Sequence, residues 1–253
     1  MKFSIITAVF NRESTICRAL QSIKDQTYSD IESVVIDGSS TDQTIELIKS
    51  TISKNDTFVT EKDNGIYEAL NKGIIHSSGE IIGFLHSDDI YFDTNVISKV
   101  SEIFLDETID IVFGDTSYFK KDNLNKIVRM YRSNELSLKN LAWGKMPSHT
   151  AMFVRKNIFN KYGLFDTSYL ISGDYEFLCR IMRNGKIKSI HVPNTFIKMQ
   201  VGGASTQGLK SKIIINKEVM KACRDNKIYT NIFMVISKYP SKLMQFFLKK
   251  EDY

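Results

Sequence analysis

The chain predicts an α/β fold in which a mostly parallel sheet is flanked by helices and followed by a smaller region of mixed strands and helices. Three observations carry that expectation. Between residues 3 and 92, short β-branched runs alternate with longer segments of helical periodicity. The strand-like runs are apolar throughout rather than alternating, as buried parallel strands are. The adjacent carboxylates Asp88 and Asp89 fall where one such run ends, and that edge of an open α/β sheet is where ligands bind.

In order, Phe3 to Phe10 reads as a strand, then a helix runs from about Thr15 to Asp25 with Ile16, Ala19, Leu20 and Ile23 on one face and Ser14 as N-cap. Ile31 to Asp37 is a second buried strand closed by Gly38-Ser39-Ser40-Thr41-Asp42. Thr41 to Ser53 reads as a helix, Thr57 to Thr60 as a short strand, and Gly65 to His76 as a helix aligned through Ile66, Ala69, Leu70 and Ile74. Glu80 to Leu85 is the central strand, too short for a helix and stopped by His86-Ser87-Asp88-Asp89. A helix over Thr94 to Leu105, a strand over Ile109 to Phe113, and a hairpin of Thr116 to Lys120 with Ile127 to Tyr131 turning at Asp122-Asn123 come next. The second half offers a strand at Thr150 to Arg155, a helix from Asp174 to Asn184 stopped by Gly185, and two short strands, Lys188 to Val192 and Thr195 to Met199.

With 253 residues the chain is one large domain or two small ones. A formal net charge of +5 suits an anionic substrate or a lipid surface, but 34 basic against 29 acidic residues is no nucleic-acid footprint. Cys17, Cys179 and Cys223 are odd in number and lack C-x-x-C spacing, so buried free thiols and a cytoplasmic compartment are expected. The apolar start MKFSIITAVF runs into Asn-Arg-Glu with no small-residue cleavage site, and no run reaches the length of a spanning helix.

Carboxylates recur at strand ends and helix starts: Asp37, Asp88 with Asp89, and Asp174. Paired hard oxygen donors suit Mg²⁺ or Mn²⁺ carrying a diphosphate, whereas each carboxylate alone also suits a turn or a helix cap. The tail from Asn231 to Lys250 intersperses Ile232, Phe233, Val235, Ile236, Leu243, Met244, Phe246 and Phe247 with lysines and is broken at Pro240. That composition fits an interfacial helix pair on a membrane surface, and equally a helix packed on the domain or on a second subunit as a homodimer contact.

The motifs SIITAVFNRESTICRALQSI, VVIDGSSTDQT, EKDNGIYEALNKGI, GEIIGFLHSDD and ISGDYEFLCRIMRNG, in that order, resemble those of the family 2 nucleotide-sugar glycosyltransferases. The resemblance covers roughly residues 3 to 205 and implies a GT-A type, Rossmann-like sheet with the mixed region on the acceptor side. It divides the chain into a nucleotide-sugar-binding half (1–115), an acceptor-binding and catalytic half (116–205) and a C-terminal helical region (206–253). It implies inverting, metal-dependent transfer of a sugar from a UDP-type donor to a surface-polysaccharide or lipid-linked glycan, with Mn²⁺ or Mg²⁺ as cofactor and the enzyme in the cytoplasm or at the inner membrane face.

Residue by residue, the resemblance places Ala8 and Phe10 against the nucleobase and gives Asp37 a hydrogen bond from a uracil-type ring N–H. Asp63 and Asn71 complete the nucleotide pocket, Asp88 meets the ribose or metal shell, Asp89 binds the cation, and Asp174 is the catalytic base. His149 in PSHTAMF faces the acceptor in this reading or is a hydrogen-bonded structural histidine, and Trp143 is an acceptor platform or a core residue. The sequence departs from the family pattern at Leu70, His86 and Gly173, where many members carry an Arg, an acidic or amide residue, and a Glu. Lys72 or Arg12 would have to serve the diphosphate in place of that Arg. Two rivals remain at this point: a nucleotide-binding partner without turnover, and a metal-dependent phosphatase or nucleotidyltransferase. The latter lacks any D-x-D-G-T/V, P-loop or G-x-G-x-x-G signature.

Overall fold

The first part of the chain alternates β1 (Phe3–Val9), α1 (Ile16–Lys24), β2 (Ile31–Asp37), α2 (Thr44–Thr51), β3 (Thr57–Thr60), α3 (Ile66–His76), β4 (Ile81–Phe84) and β5 (Ile90–Tyr91). It continues with α4 (Val96–Ile103), β6 (Ile111–Lys120), β7 (Asn123–Tyr131), α5 (Leu138–Ala142), a 3-10 turn at His149–Ala151, β8 (Met152–Arg155), α6 (Lys156–Tyr162), α7 (Gly173–Asn184), β9 (Ser189–Gln200), α8 (Gly208–Asp225) and α9 (Ile232–Ile236). The computed structural model describes residues 1–120, 123–202 and 208–239.

These strands form one sheet of order β3-β2-β1-β4-β8-β6-β9-β5, with β7 paired to β6. The four strands β3, β2, β1 and β4 are mutually parallel. β8 then enters antiparallel between β4 and β6. The chain turns to opposite sides after β1, with β2 on one flank and β4 on the other, so the loops beyond β1 and β4 diverge and open a crevice.

Alternation along the strands sorts the core into two layers. Ile5 packs with Ile16, Ala19, Leu20 and Ile23 of α1 and with Val96, Ile97 and Val100 of α4. Ile6 faces the other way, with Tyr67, Leu70 and Ile74 of α3 and the buried side of α7. α3 lies hard against β1 because Gly73 has no side chain: a Cβ there would stand 2.3 Å from Ile6 Cγ2. Truncating Leu20, which is 1% exposed, would cost about 2–5 kcal/mol.

Several boundaries differ from the sequence expectation for identifiable reasons. Ser14 is exposed and caps nothing; Thr15 holds the cap position, without a side-chain bond. The first of the two helices flanking β2 therefore starts at Ile16, and the second waits until Thr44, whose amide goes to Asp42 Oδ1 at 3.0 Å. The strands expected at Ile109 to Phe113 and Thr116 to Lys120 are one strand, β6, and those flanking Pro193 are one strand, β9. β6 and β9 absorb Pro193 by a register shift: Phe113 pairs with His191, but Asp115 pairs with Thr195. β6 also runs through position 115, so the expected division between the two halves falls inside a strand. Asp122 of the expected hairpin turn lies outside the described residues, as do positions 240–250 of the tail. Within the described part of the tail, Asn231 Oδ1 accepts the Met234 amide at 3.0 Å and Val235 is fully buried, while Phe233 is 83% exposed. Among the described residues no helix is long and apolar enough to cross a membrane.

Candidate active site

A cavity of about 380 Å³ fills the crevice beyond β1 and β4. Its walls come from Ala8 at the end of β1 and Phe10 just beyond it, Asp63 and Ile66 around the start of α3, the run His86 to Asp89 after β4, and Asp174. A second cavity, of about 220 Å³, opens against β6, β7 and the segment after α5. Asp174 and His149 line both. The carboxylate is therefore the partition between two binding spaces.

Asp174 sits in the first turn of α7, where the helix dipole favours a negative charge. Oδ1 accepts the Tyr175 amide at 2.9 Å, and the single Tyr67 hydroxyl proton is shared between the Ile171 carbonyl at 2.5 Å and Oδ1 at 3.1 Å. Oδ2 lies 3.2 Å from His149 Nδ1, whose Nε2 lies 2.6 Å from His86 Nε2. Burial pushes Asp174 up to about 6 against these favourable donors. Burial also lowers both histidines to about 4, with His149 adding to the effect on His86, so both imidazoles are neutral at pH 7. One proton pattern then satisfies the row: His149 Nδ1–H donates to the carboxylate, and His86 Nε2–H donates to His149 Nε2.

Two of the departures from the family pattern thereby acquire a physical reason. His86 stands where it can hold His149, and His149 holds Asp174. Gly173 is needed because a Cβ there would meet the Tyr67 ring at 2.9 Å, displacing the hydroxyl that bonds Asp174. The third departure, Leu70, is buried and lines the first cavity. Lys72 does not replace the missing Arg, since it pairs with Glu61 at 3.0 Å and Glu68 at 3.2 Å. Arg12 does line the cavity.

Asp89 is 1% exposed. Its Oδ1 accepts the Gln200 amide at 3.2 Å, whereas Oδ2 is buried without a hydrogen-bond partner. Burial, with the charge of Asp88 beside it, pushes its carboxyl well above the ordinary range. A buried carboxylate oxygen with no donor, next to a second carboxylate at a cavity wall, is a donor set that a hard divalent cation fits. Among the described residues no three His, Cys, Asp or Glu side chains group as a complete cation site, so diphosphate oxygens and water would fill the remaining positions, as is usual for Mg²⁺ with phosphates.

The other expected residues divide. Ala8, Phe10, Asp63 and Asp88 all line the first cavity, and Phe10 is 55% exposed there. Gly38 makes room between them: a Cβ on it would fall 2.7 Å from Asp63 Oδ2 and 3.5 Å from the Phe10 ring. Asp37 is not on that wall. It is 0% exposed, and its oxygens accept the Ser40 amide and hydroxyl and the Thr60 hydroxyl. Asn71 is also turned away, its amide exchanging two hydrogen bonds with the Phe165 backbone, at 2.8 and 2.9 Å. Trp143 ends α5 and lines neither cavity. Sequence reasoning missed Tyr67, which reads as one more apolar position of a buried helix face, and Gln200, which has no local signal.

The mostly parallel sheet, with a crevice and carboxylates beyond its strand ends, has the fold of solved GT-A glycosyltransferases. A family model described as Glycosyl transferase family 2 matches residues 4–166, and the chain belongs to that family. It is 25% identical over 223 residues to a PGL/p-HBAD biosynthesis glycosyltransferase of Mycobacterium bovis, covering 87% of this chain and 82% of the relative. Among solved structures it is similar to S. aureus TarS 1-349 in complex with UDP-GlcNAc, with TM-score 0.68 and 17% identity over 88% of this chain and 66% of the other. It is also similar to the mannosyltransferase PcManGT of Pyrobaculum calidifontis in complex with GDP-Man and Mn²⁺, with TM-score 0.67 and 18% identity over 91% of this chain and 65% of the other. About a third of each of those two chains thus has no counterpart here.

Proposed function

We propose that the protein is an inverting glycosyltransferase that moves a sugar from a UDP-type nucleotide-diphosphate donor to a hydroxyl of a surface-glycan or lipid-linked acceptor. The observation that carries this reading is Asp174: an ionisable carboxylate near pH 6 that partitions two cavities and is held from three sides. The larger cavity takes the donor, with Phe10 and Asp63 toward the base and Asp88 and Asp89 toward the diphosphate. Asp37 supports the Ser40 turn behind that wall. The smaller cavity takes the acceptor.

In this reading Asp174 accepts the proton of the acceptor hydroxyl as its oxygen bonds to the anomeric carbon. The bond from that carbon to the diphosphate oxygen breaks, the electron pair leaves with the nucleotide diphosphate, and the anomeric configuration inverts. His149 and Tyr67 fix the carboxylate's orientation, and the row of neutral imidazoles adds no competing cation. Asp88 and Asp89 would hold Mn²⁺ or Mg²⁺, which when bound neutralises charge on the leaving diphosphate. The three cysteines are free thiols, which supports the expected cytoplasmic compartment.

The test is UDP release from a panel of UDP-sugars, with calorimetric UDP binding measured alongside. Asp174→Asn is expected to lower turnover by about 10²-fold or more while UDP affinity stays within about threefold. Undiminished turnover in that variant removes Asp174 as the base. A folded protein that binds no UDP with Mn²⁺ present removes the donor assignment.

A further inference from the structure

α8 follows Asp174 in the chain, yet one of its faces is committed to the segment that delivers that carboxylate. Glu218, Lys221 and Asp225 are spaced by three and then four positions, so they share one side of the helix. All three meet the segment between α6 and α7. Glu218 Oε1 accepts the Leu170 amide at 2.7 Å, and Oε2 accepts the amides of Ile171 and Ser172 at 3.0 and 2.8 Å. Lys221 Nζ lies 4.1 Å from the centre of the Tyr169 ring, and Asp225 Oδ2 accepts the Tyr169 hydroxyl at 3.5 Å. Three successive amides gathered on one carboxylate form a nest, and bonds to a charged acceptor are stronger than neutral ones. The nested segment is also a wall of the site. Leu170 and Ile171 line the first cavity, Ile171 and Ser172 the second, and the Ile171 carbonyl shares the Tyr67 hydroxyl proton. Asp174 stands two residues beyond Ser172.

We infer that Glu218 is a positioning residue for Asp174: it holds the three amides ahead of α7 so that the carboxylate is presented between the cavities in one orientation. The inference rests on the reading of Asp174 as the base between donor and acceptor. The line of contact is short. Glu218 fixes Ile171, the Ile171 carbonyl fixes the Tyr67 hydroxyl, and that hydroxyl reaches Asp174 Oδ1 at 3.1 Å. α8 itself is seated in the core by Val219, Ala222 and Cys223, so loss of the Glu218 carboxylate should loosen the segment without unseating the helix.

The experiment compares the unaltered full chain with Glu218→Gln, which keeps one carbonyl acceptor, and Glu218→Ala, which keeps none. Amide hydrogen exchange, resolved residue by residue by NMR, is read at Leu170, Ile171, Ser172 and Tyr175. The Tyr175 amide reports on Asp174: it sits in the first turn of α7, where helical acceptors are lacking, and bonds Asp174 Oδ1 at 2.9 Å. All four amides are expected to exchange about tenfold or more faster in Glu218→Ala, with Glu218→Gln in between. Turnover of the UDP-sugar that the panel identifies should fall about tenfold in Glu218→Ala while UDP affinity stays within about threefold, a loss in kcat rather than in KM. Glu218→Gln should recover part of it. Thermal unfolding of each variant confirms that it is folded. Faster exchange confined to residues 170–172, with Tyr175 and kcat unchanged, overturns the inference and leaves Glu218 a staple of the segment alone. Exchange that rises equally throughout the chain overturns it as well, because that marks general destabilisation. The base reading is scored separately. Faster exchange at Tyr175 with undiminished kcat strikes Asp174 as the base, which Asp174→Asn tests independently, and leaves its ordering by Glu218 standing. If the unaltered chain neither binds UDP nor releases it from any UDP-sugar, the proposed function fails, and exchange at Tyr175 still reads whether Glu218 orders Asp174.

Discussion

The two cavities on either side of Asp174 are electrostatic opposites. Among the described residues, the larger is lined by four aspartates, Asp63, Asp88, Asp89 and Asp174, and one arginine, Arg12, and the smaller by three basic side chains and Asp174. In the proposed reading the first would take a cation from solution to receive a diphosphate, whereas the second is lined by basic side chains of the chain itself. An exchangeable cation would leave the proposed donor side responsive to metal and pH. Asp174 belongs to both spaces, so its protonation is the point at which they meet.

The largest break in this contrast is expected from Asp89→Ala. Removing the buried carboxylate should lower metal-dependent UDP affinity by about a hundredfold or more, since even partners of ligands cost 10- to 100-fold, roughly. Calorimetry with and without Mn²⁺ measures it. In the unaltered protein, the raised Asp89 carboxyl must lose its proton to take the cation, so metal affinity should climb with pH and binding should release protons into weak buffer.

Asp174 offers the next test, because its raised value has a definite sign. A carboxylate at about 6 when folded, against 3.8 ordinarily, destabilises the fold when ionised, so its favourable contribution is present below pH 3.8 and is lost as pH rises through 6. Asp174→Asn should therefore raise stability at pH 7 by on the order of 1–3 kcal/mol, with the gain gone in acid, while turnover collapses. Denaturant titrations at both pH values read the first effect.

Tyr67→Phe should act more gently. Losing the hydroxyl that favours the charged carboxylate moves the acid limb of the kcat profile above pH 6 and lowers the plateau by about three- to tenfold; an unmoved limb would make Tyr67 a packing residue only. The smallest effect is expected from Trp143→Ala, which lines neither cavity: affinity for UDP should not change, and stability should shift by about 1 kcal/mol or less.

Much of the donor side was legible because it is local. A strand, its terminal carboxylate and the following helix are contiguous, and the parallel strands read as unbroken apolar runs. Asp89, Asp88, Phe10 and Asp63 line the first cavity. Solvent access is not a local property, which is why Asp37 looked available yet lies sealed under Ser40 and Thr60. Nor was the His86–His149–Asp174 row visible, since it joins three segments whose spacing carries no pattern. Gly173 and His86 read as defects in a motif until Tyr67 and His149 stood beside them. β6 and β9 were each cut in two because Gly114-Asp115 and Pro193-Asn194 interrupt the apolar run, and only their mutual pairing carries the strands across.

The Asp89 carboxylate and the Gln200 amide that fixes it are 111 positions apart, and the strand just after Asp89 pairs only with β9, Ile90 with Lys198 and Tyr91 with Ile197. During synthesis, then, a ribosome that has delivered every motif up to Asp89 has not delivered the backbone amide that fixes its carboxylate. That corner stays open until the ninth strand emerges and closes over it. A fragment ending before β9 would keep the parallel strands and their carboxylates but not the clamp on Asp89.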